Sequence, residues 1–360
     1  MENYKTKILE IGPYPPPYTG WGVRIKYIAE HLRSKGCEVL VMNLGPNRQI
    51  ASPDYITVQN GTDYVLKIIH YLKKGYTIHM HANGDSPKGF ILTFLAEFLS
   101  AIFFRRSVLT FHAGPDQQYF PVKNSKLFFP VLYSIFSLPK KVICNSEDVK
   151  KNIVEYGIPL HKVVPIPAFS KQYLEFKRTE YNEELAGFIR LHEPVIACYI
   201  LFRPEFFHES VFRCIALMQK KFPDIGFIII GGDPETSDNG ENVRRQVKET
   251  GIEDNTFFSG NVTHDEFLTI LQDSAIYLRS HTRDGVCSSV LEALALGVPV
   301  VANYDGIRPE EVIQYSVNNE NDMAEKLIRT LHNLAEIKNS LTQHEVEDTV
   351  QTEAELLINL

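Results

Sequence analysis

The sequence contains few cysteines, and their spacing does not suggest a scaffold. Its 360 residues include five cysteines, and no two of them form a C-x-x-C pair. An odd number without paired spacing argues against a disulfide framework and against structural zinc, and it favours a reducing compartment. We therefore expect the fold to rest on the burial of apolar side chains.

The chain also lacks the features of a secreted or membrane-spanning protein. The first residues, MENYKTKILEIG, lead into a strand-like run without a basic region followed by an apolar core. The apolar stretch Phe90–Phe104 has 15 residues and contains Glu97, whereas a bilayer span needs roughly 20 apolar residues. We interpret it as a buried helix of a cytoplasmic protein. The apolar segment Lys123–Lys141 is flanked by lysines, which leaves contact with a membrane surface open.

Composition and charge indicate two globular domains with different surroundings. Hydrophobic residues make up 44% of the chain and charged residues 22%, as in soluble globular proteins. Residues 1–180 contain 23 Lys and Arg against 14 Asp and Glu, a net charge of +9, and residues 181–360 contain 14 against 30, a net charge of −16. The two domains either differ merely in isoelectric point, or the basic half binds an anionic membrane surface or a phosphorylated lipid. No aromatic-and-basic motif supports nucleic-acid binding.

Strand-like runs alternate with helix-length segments in both halves. The predicted strands of the first half are Lys7–Ile11, Glu38–Met42, Tyr76–His81, Val108–Phe111, Lys141–Cys144 and Lys162–Ile166. A polar stretch without strand character, Ser170–Glu193, separates them from a second set. The predicted strands of that set are Val195–Leu201, Gly226–Ile230, Thr256–Ser259, Ala275–Arg279 and Val298–Ala302. This alternation predicts an α/β fold of two doubly wound, Rossmann-like domains.

The domain boundaries follow from the same pattern. We predict an N-terminal domain over 1–180, a C-terminal domain over 190–340, and a final helix over 341–360 that packs back toward the N-terminal domain. Ligands of doubly wound sheets bind beyond the carboxyl ends of the strands. We therefore expect the two domains to face each other across a cleft that contains the site.

The most informative segment is DGVCSSVLEALALGVPVV, which begins at Asp284. It contains a glycine turn, a helix start and an acidic side chain in the first helical turns, at Asp284-Gly285, Ser288-Ser289 and Glu292. A helix that begins at such a turn directs free N–H groups outward and can bind an anion. Carboxylates accept hydrogen bonds from sugar and ribose hydroxyls. The segment therefore predicts a site for a sugar attached to a phosphate.

Two features of the first half could also bind a ligand. The loop GPYPPPYTGWG is stiffened by prolines, and Gly20 and Gly22 would let the backbone approach a ligand, although a tight turn alone explains them equally well. It is not a G-x-G-x-x-G loop, so a dinucleotide is disfavoured. His79, His81 and His112 suggest a metal site, but no neighbouring carboxylate or cysteine completes it. His112, at the carboxyl end of its strand, is better placed for a substrate.

Two further candidates follow strands of the second half. Arg203 comes after ACYILF, where its guanidinium could hold a diphosphate or pair with a nearby glutamate. Gly232 lies in a Gly-Gly turn after an apolar strand, which taken alone is weak evidence for a nucleotide.

In this order the segments resemble the retaining glycosyltransferases of the GT-B fold, specifically the large family 4 (group 1) of nucleotide-sugar-dependent enzymes. The resemblance covers nearly the whole chain and is most specific in the last third. There Asp284 and Glu292 stand at the two positions of the family's Glu-x7-Glu motif, and EALALGVPVVA matches closely. It implies that Glu292 binds ribose hydroxyls, and that Asp284 and the amides after Gly285 face the transferred sugar and its phosphate.

Other segments resemble the family as well. FFSGNVTHDEF resembles its base-binding turn, which implies a nucleotide base beside Gly260 and Val262. LTFHAG resembles the segment whose histidine, here His112, contacts the sugar. The loop with Gly20 and Gly22 resembles the one over the diphosphate and acceptor.

One departure from the family bears on activity. The family usually pairs an arginine with a lysine five residues later, and here Arg203 is followed by His208. A neutral imidazole supplies less charge than lysine, although a bound phosphate would favour its protonation. With the amides of Ser288 and Ser289, these two side chains would stabilise charge on the leaving diphosphate.

The resemblance implies a retaining hexosyltransferase that uses a nucleotide-diphosphate sugar as co-substrate, with no cofactor and no metal. We expect a saccharide or lipid-linked saccharide acceptor, as in surface polysaccharide biosynthesis. The protein would be cytoplasmic or peripheral at the inner face of the cell membrane. The alternatives are a catalytically silent nucleotide-sugar-binding protein, which the histidine at position 208 suggests, and an epimerase that converts the nucleotide sugar without an acceptor.

Overall fold

The structure is a computed structural model that describes residues 6–16, 20–282, 284, 287–304, 308–341 and 347–360. The chain forms two compact units, one of Met1–Ser170 with Glu347–Leu360 and the other of Lys171–Val346. Each unit is built on a six-stranded sheet in which all paired strands are parallel. This confirms the predicted α/β class with two doubly wound domains.

The first unit alternates strands and helices from its beginning. Its elements are β1 (Lys7–Gly12), α1 (Gly20–Ser34), β2 (Glu38–Asn43), α2 (Gly61–Lys73), β3 (Thr77–Ala82), α3 (Pro87–Ile102), β4 (Ser107–Phe111), α4 (Phe129–Ser137), β5 (Lys141–Cys144), α5 (Glu147–Val154) and β6 (Val163–Pro165). The sheet order is β2-β1-β3-β4-β5-β6. The central strands are buried almost throughout, because helices cover a parallel sheet on both faces.

The second unit repeats this plan. Its elements are α6 (Glu183–Leu191), β7 (Val195–Ile200), α7 (His208–Lys221), β8 (Gly226–Gly231), α8 (Gly240–Thr250), β9 (Thr256–Gly260), α9 (His264–Asp273), β10 (Ile276–Arg279), α10 (Ser288–Ala295), β11 (Val300–Asn303), β12 (Ile313–Tyr315), α11 (Glu320–His332) and α12 (Leu334–Leu341). The sheet order is β12-β11-β10-β7-β8-β9. Two apolar clusters flank this sheet and hold the helices against it.

The last helix, α13 (Val350–Ile358), belongs to the first unit. Apolar side chains of α13 join the cluster that α1 forms over the sheet. Inside this contact Arg24 of α1 forms a salt bridge with Glu353 of α13, and their side chains are 0% and 1% exposed. A buried charge of this kind requires a partner, so the pair fixes where α13 docks.

The polar stretch between the two predicted sets of strands belongs, from Lys171 onward, to the second unit. Within Ser170–Glu193 the chain forms a short 3-10 helix and then α6. The side chain of Asn182 caps α6 by accepting a hydrogen bond from the N–H of Leu185, and Leu185 is buried in the core. Phe188 and Ile189 pack against the same core, so the apolar positions 185, 188 and 189 follow a helical period that was a usable signal in the sequence.

Helix α3 buries polar side chains and exposes apolar ones. Glu97 and Ser100 are fully buried, whereas Ile91, Phe98 and Ile102 are 58%, 44% and 51% exposed. The three exposed residues lie seven and four positions apart and so share one face of the helix. The prediction of a simply buried helix is therefore wrong. No helix in the described part of the chain has the length and apolarity needed to cross a bilayer.

The buried carboxyl of Glu97 should make stability depend on pH. Burial raises the pKa of Glu97 to about 8, although a hydrogen bond from Ser107 opposes this shift. A carboxyl group whose folded pKa exceeds its unfolded value of 4.5 stabilises the folded state fully below pH 4.5. This stabilisation decreases as the pH rises toward 8. Between about pH 6 and 7.5, wild type should lose about 2 kcal/mol more free energy of unfolding than Glu97→Gln, measured by urea denaturation. Equal losses would contradict the assignment.

Candidate functional site

In the second unit, predicted site residues gather beyond the carboxyl ends of neighbouring strands. Arg203 follows β7, Gly232 follows β8 and Asp284 follows β10. Because these strands are parallel and adjacent in the sheet, their carboxyl ends lie at one edge. The loops after β7 and β10 are hydrogen-bonded to each other, because the N–H of Thr282 donates to the carbonyl oxygen of Glu205 at 3.1 Å. The loop that carries Arg203 therefore lies beside the loop that leads to Asp284.

Asp284 is the centre of a buried ion cluster. Arg279 donates from Nε to Oδ2 at 3.0 Å and from Nη2 to Oδ1 at 2.7 Å. Arg308 Nη1 donates to Oδ2 at 2.9 Å, and His281 Nδ1 lies 3.0 Å from Oδ1. Burial alone would raise the pKa of Asp284, but the charge of Arg279 and a hydrogen bond from His281 hold it well below the ordinary range. The carboxylate is therefore ionised, and these three side chains contact both of its oxygens.

Sequence reasoning missed the partners of Asp284. Arg279 is the last residue of β10, and its place at a carboxyl strand end was a usable signal. Arg308 lies 24 residues beyond Asp284 in the chain, and no local pattern connects the two. That Asp284 faces the transferred sugar stays a prediction. Gly285, which was predicted beside it, lies outside the described residues.

The predicted ribose ligand, Glu292, is a buried residue of α10. It is 5% exposed, and its Oε1 lies 3.1 Å from Nε2 of His264. Burial lowers the pKa of His264, but the hydrogen bond and the charge of Glu292 together raise it by more. The pKa therefore lies above its ordinary value. His264 opens α9 and was not predicted as a site residue. It holds the Glu292 carboxylate in one orientation.

The beginning of α10 has no side-chain cap in the described part of the chain, so the predicted anion site there stays a prediction. Among the described residues no side chain caps the N-terminus of this helix at Cys287. Ser288 and Ser289 are its first residues, and Ser289 Oγ lies 2.8 Å from the hydroxyl of Tyr277 rather than over the helix end. N–H groups without a side-chain cap at a helix start are donors for an anion.

The glycines predicted to approach the donor have explanations within the fold. A Cβ on Gly232 would lie 2.8 Å from the carbonyl oxygen of Ile200 and 2.9 Å from the ring of Phe202. Gly260 has a φ of +63° at the end of β9, a conformation that side chains disfavour. Val262, just beyond, packs against the apolar core. Contact of these residues with a nucleotide stays a prediction.

Arg203 and His208, the predicted diphosphate pair, have different surroundings. Arg203 is exposed and makes no ion pair with any residue that the structure describes. His208 is 8% exposed, and its ring packs between those of Phe202 and Phe212, with centroids 5.6 and 5.7 Å away. Neither ring nitrogen has a hydrogen-bond partner within the described ranges. Because burial lowers the pKa of His208, only Arg203 of the pair carries a charge at neutral pH.

In the first unit, the predicted residues lie around the beginning of α1. Gly20 is the exposed first residue of this helix and Gly22 is buried. Between them, the indole of Trp21 lies with its ring centroid 5.5 Å from that of His112. His112 directly follows β4 and is half-buried. The structure therefore brings the beginning of α1 and His112 together.

Behind His112 lies a cluster of buried polar side chains. Glu10 Oε2 is 2.7 Å from His79 Nδ1 and 2.9 Å from His81 Nε2, because Glu10 on β1 pairs in register with His79 on β3. The expectation that no carboxylate lies near these histidines is therefore wrong. The three side chains could together hold a metal ion, but ligand atoms around tetrahedral zinc lie about 3.3 Å apart. Both separations from Glu10 are shorter than that. The one to His81 Nε2 is a hydrogen bond, and the one to His79 Nδ1 is a close charge contact outside hydrogen-bond geometry.

Solved glycosyltransferase structures match this fold over almost the whole chain. HepE from Anabaena in complex with UDP has a TM-score of 0.76 at 16% identity, covering 99% of this chain and 100% of that one. Sucrose-phosphate synthase from Thermosynechococcus elongatus has a TM-score of 0.71 at 17% identity, covering 98% and 94%. At these identities the likeness shows the fold, which is the GT-B fold of glycosyltransferases.

Two family models match consecutive parts of the sequence. Residues 18–169 match the model described as Glycosyltransferase Family 4, and residues 187–344 match Glycosyl transferases group 1. The two matches take in most of both units. The chain belongs to the group 1 glycosyltransferases, which confirms the resemblance seen in the sequence.

Two curated relatives are mannosyltransferases. One is a GDP-Man:Man(3)GlcNAc(2)-PP-Dol alpha-1,2-mannosyltransferase of Dictyostelium discoideum, 26% identical over 123 residues, or 32% of this chain and 24% of the relative. The other is a GDP-mannose-dependent alpha-(1-6)-phosphatidylinositol monomannoside mannosyltransferase of Mycolicibacterium smegmatis, 26% identical over 127 residues, or 33% and 32%. The matches span about a quarter to a third of these relatives' length.

Proposed function

We propose that this protein transfers a hexose from a nucleoside diphosphate sugar to a saccharide or lipid-linked saccharide, with retention of anomeric configuration. One observation carries the proposal. Beyond the carboxyl ends of the second sheet, the exposed Arg203, the α10 N-terminus without a side-chain cap and the oriented Glu292 offer the groups that a diphosphate and a ribose need. The names of the relatives support a nucleotide sugar, since both mannosyltransferases act on GDP-mannose and HepE is solved with UDP-glucose.

Charge stabilisation on the leaving diphosphate would be the main catalytic term. The amides of Ser288 and Ser289 are held by the helix, so they need not reorganise as the bond to the sugar breaks, and Arg203 would add a positive charge beside them. Glu292, held by His264, would accept hydrogen bonds from the ribose hydroxyls. In this mechanism protein groups supply the charge, and it requires no divalent ion and no cofactor.

A donor panel tests the proposal. The protein is incubated with GDP-mannose, UDP-glucose and UDP-N-acetylglucosamine, with and without a lipid-linked saccharide acceptor, and release of nucleoside diphosphate is measured. We expect release that depends on acceptor, and a product whose new linkage keeps the donor's configuration by NMR. Inversion would refute the retaining mechanism. Conversion of donor without acceptor would instead identify an epimerase.

A silent nucleotide-sugar-binding protein is the second candidate function. The observation that favours it is the burial of His208, which lowers its pKa and leaves the diphosphate with one fixed side-chain cation. In the same panel, a donor that binds by calorimetry but never releases nucleoside diphosphate with any acceptor would establish this alternative.

We also propose that the first unit binds an anionic membrane surface through helix α3, where a lipid-linked acceptor would be presented. Phe104, two residues beyond the end of the helix, adds to its exposed apolar face and is 96% exposed. Lys88, Arg105 and Arg106 are exposed at the two ends of the helix. Apolar side chains bordered by basic ones suit the interface of an acidic bilayer, where each basic residue adds about 1 kcal/mol. The protein would then act at the inner face of the cell membrane.

Vesicle flotation checks the membrane proposal. Phe104→Asp should lower the vesicle partition coefficient at least about tenfold on phosphatidylserine-containing vesicles, because it removes an apolar contact and adds a repelled charge. Leu191→Asp is the matched control, since Leu191 is 77% exposed but belongs to the second unit. Equal effects of the two substitutions, or no binding of wild type at low salt, would exclude this surface.

A further inference from the structure

We propose that Glu10 and His81 are positioning residues that hold His112 in its Nε2–H tautomer, so that its Nδ1 accepts a hydrogen bond from a hydroxyl of a sugar substrate. Only the last step, the presence of a sugar hydroxyl, rests on the proposed function. The tautomer itself follows from a chain of hydrogen bonds within the first unit, in which the position of each proton is decided by the one before it.

The chain begins at the buried pair of Arg24 and Glu353. Arg24 donates to Glu353 Oε2 from Nε at 2.9 Å and from Nη2 at 2.7 Å. The hydroxyl of Thr110 donates to the other oxygen, Glu353 Oε1, at 2.9 Å. A hydroxyl has one proton, so Thr110 Oγ1 can only accept from His79 Nε2, which lies 2.8 Å away. His79 therefore carries a proton on Nε2.

Glu10 determines which nitrogen of His81 carries the proton. Its Oε2 faces His79 Nδ1 at 2.7 Å and His81 Nε2 at 2.9 Å. The contact with His79 lies outside hydrogen-bond geometry, but two lone pairs would repel each other at 2.7 Å, so one proton lies at this contact, either on His79 Nδ1 or on Glu10 Oε2 on the side of His79. In both cases Oε2 accepts from His81, whose proton must be on Nε2. The reverse order would leave a protonated His79 beside a neutral acid in a fully buried place, which is costly.

The next hydrogen bond fixes His112. Burial lowers the pKa of His81 well below its usual value and that of His112 to about 3, so each neutral ring carries one proton. With its proton on Nε2, His81 offers Nδ1 as an acceptor to His112 Nε2 at 2.9 Å. His112 must therefore place its own proton on Nε2. Its Nδ1 is left with a lone pair, and no residue in the described part of the chain donates to it.

The sheet holds this chain rigidly in place. Glu10 pairs with His79 across β1 and β3, and His81 pairs with Thr110 across β3 and β4. The side chains of Glu10, His79 and His81 are fully buried. The rings of His81 and His112 are nearly coplanar, with centroids 5.2 Å apart and an angle of 17° between their planes, as an edge-to-edge hydrogen bond requires. A half-buried ring held in this way presents an acceptor at a fixed position, which favours a donor hydroxyl over an anionic oxygen.

Nitrogen NMR of the full-length protein, labelled with 15N-histidine, tests the inference. In wild type at neutral pH we expect His81 and His112 to show protonated Nε2 and unprotonated Nδ1. Glu10→Met removes the acceptor, and His112 should then populate both tautomers, with kcat/KM about tenfold lower. Glu97→Met is the matched control, because Glu97 is equally buried in this unit but contacts Ser107. It should leave the tautomer of His112 unchanged.

The outcomes separate this inference from the proposed function. A wild-type His112 with its proton on Nδ1, or a cationic ring, overturns the inference even if the variants fail to fold. An unchanged tautomer in folded Glu10→Met removes Glu10 from the chain. The expected tautomer in a protein that turns over no nucleotide sugar leaves the inference standing and the proposed function wrong. With the expected tautomer, a sugar substrate should shift the Nδ1 resonance, and a nucleoside diphosphate alone should not.

Discussion

Replacing Arg203 with alanine should lower transfer from the nucleotide sugar by about 10²- to 10³-fold while the fold stays intact. Arg203 is exposed at the carboxyl end of β7, so its removal leaves no buried group unpaired. His208, the other side chain of the predicted pair, is neutral because burial lowers its pKa. Arg203 would therefore be the one side chain of the pair whose positive charge stabilises the leaving diphosphate. Initial rates of nucleoside diphosphate release at saturating acceptor measure the effect.

The effect should appear mainly in kcat, because negative charge on the diphosphate develops as its bond to the sugar breaks. Arg245→Ala is the matched control: Arg245 is a surface arginine of α8 in the same unit, 68% exposed, with an ion pair to Glu249 and a hydrogen bond to Asn242. It should retain wild-type rates. Wild-type kcat for Arg203→Ala would remove this residue from the mechanism.

The second large effect concerns stability. Arg24→Met should lower the free energy of unfolding by about 3–5 kcal/mol, because it leaves the carboxylate of Glu353 buried without its cation. Burial alone would raise the pKa of Glu353, but Arg24 and His79 keep it below the usual value. Because its pKa is lower in the folded state, Glu353 stabilises the folded protein above pH 4.5, the unfolded pKa. This stabilisation is lost as the pH falls through the folded pKa. Urea denaturation at two pH values measures both effects.

Two controls make this result specific to burial. The double substitution of Arg24→Met with Glu353→Leu should recover much of the loss, because no unpaired charge remains. Lys151→Met breaks an ion pair with Asp148 at the surface, where the side chains are 72% and 48% exposed, and should change stability only slightly, because water screens the pair. A loss of that small size for Arg24→Met would show that the pair does not anchor α13.

Most strands of the two sheets could be predicted, because a buried parallel strand appears in the sequence as a short run of apolar residues. The strand Lys141–Cys144 agrees with the structure residue for residue, and the others agree within a few residues. Helix α2 was missed, although Asn60 caps it and accepts from the N–H of Asp63, a recognisable start signal. Strand β12 was missed because a strand of three residues carries too little pattern.

The sequence by itself determined the class of the protein, the order of its strands along the chain, and the motif around Asp284 and Glu292, because these depend on neighbours a few positions apart. Only the tertiary structure decided which charges meet. Arg24 finds Glu353 across 329 residues, and Arg308 reaches Asp284 across 24. Such pairs have no period and no fixed spacing. They form because a charge buried far from water must be matched by whatever partner the packed strands and helices bring beside it.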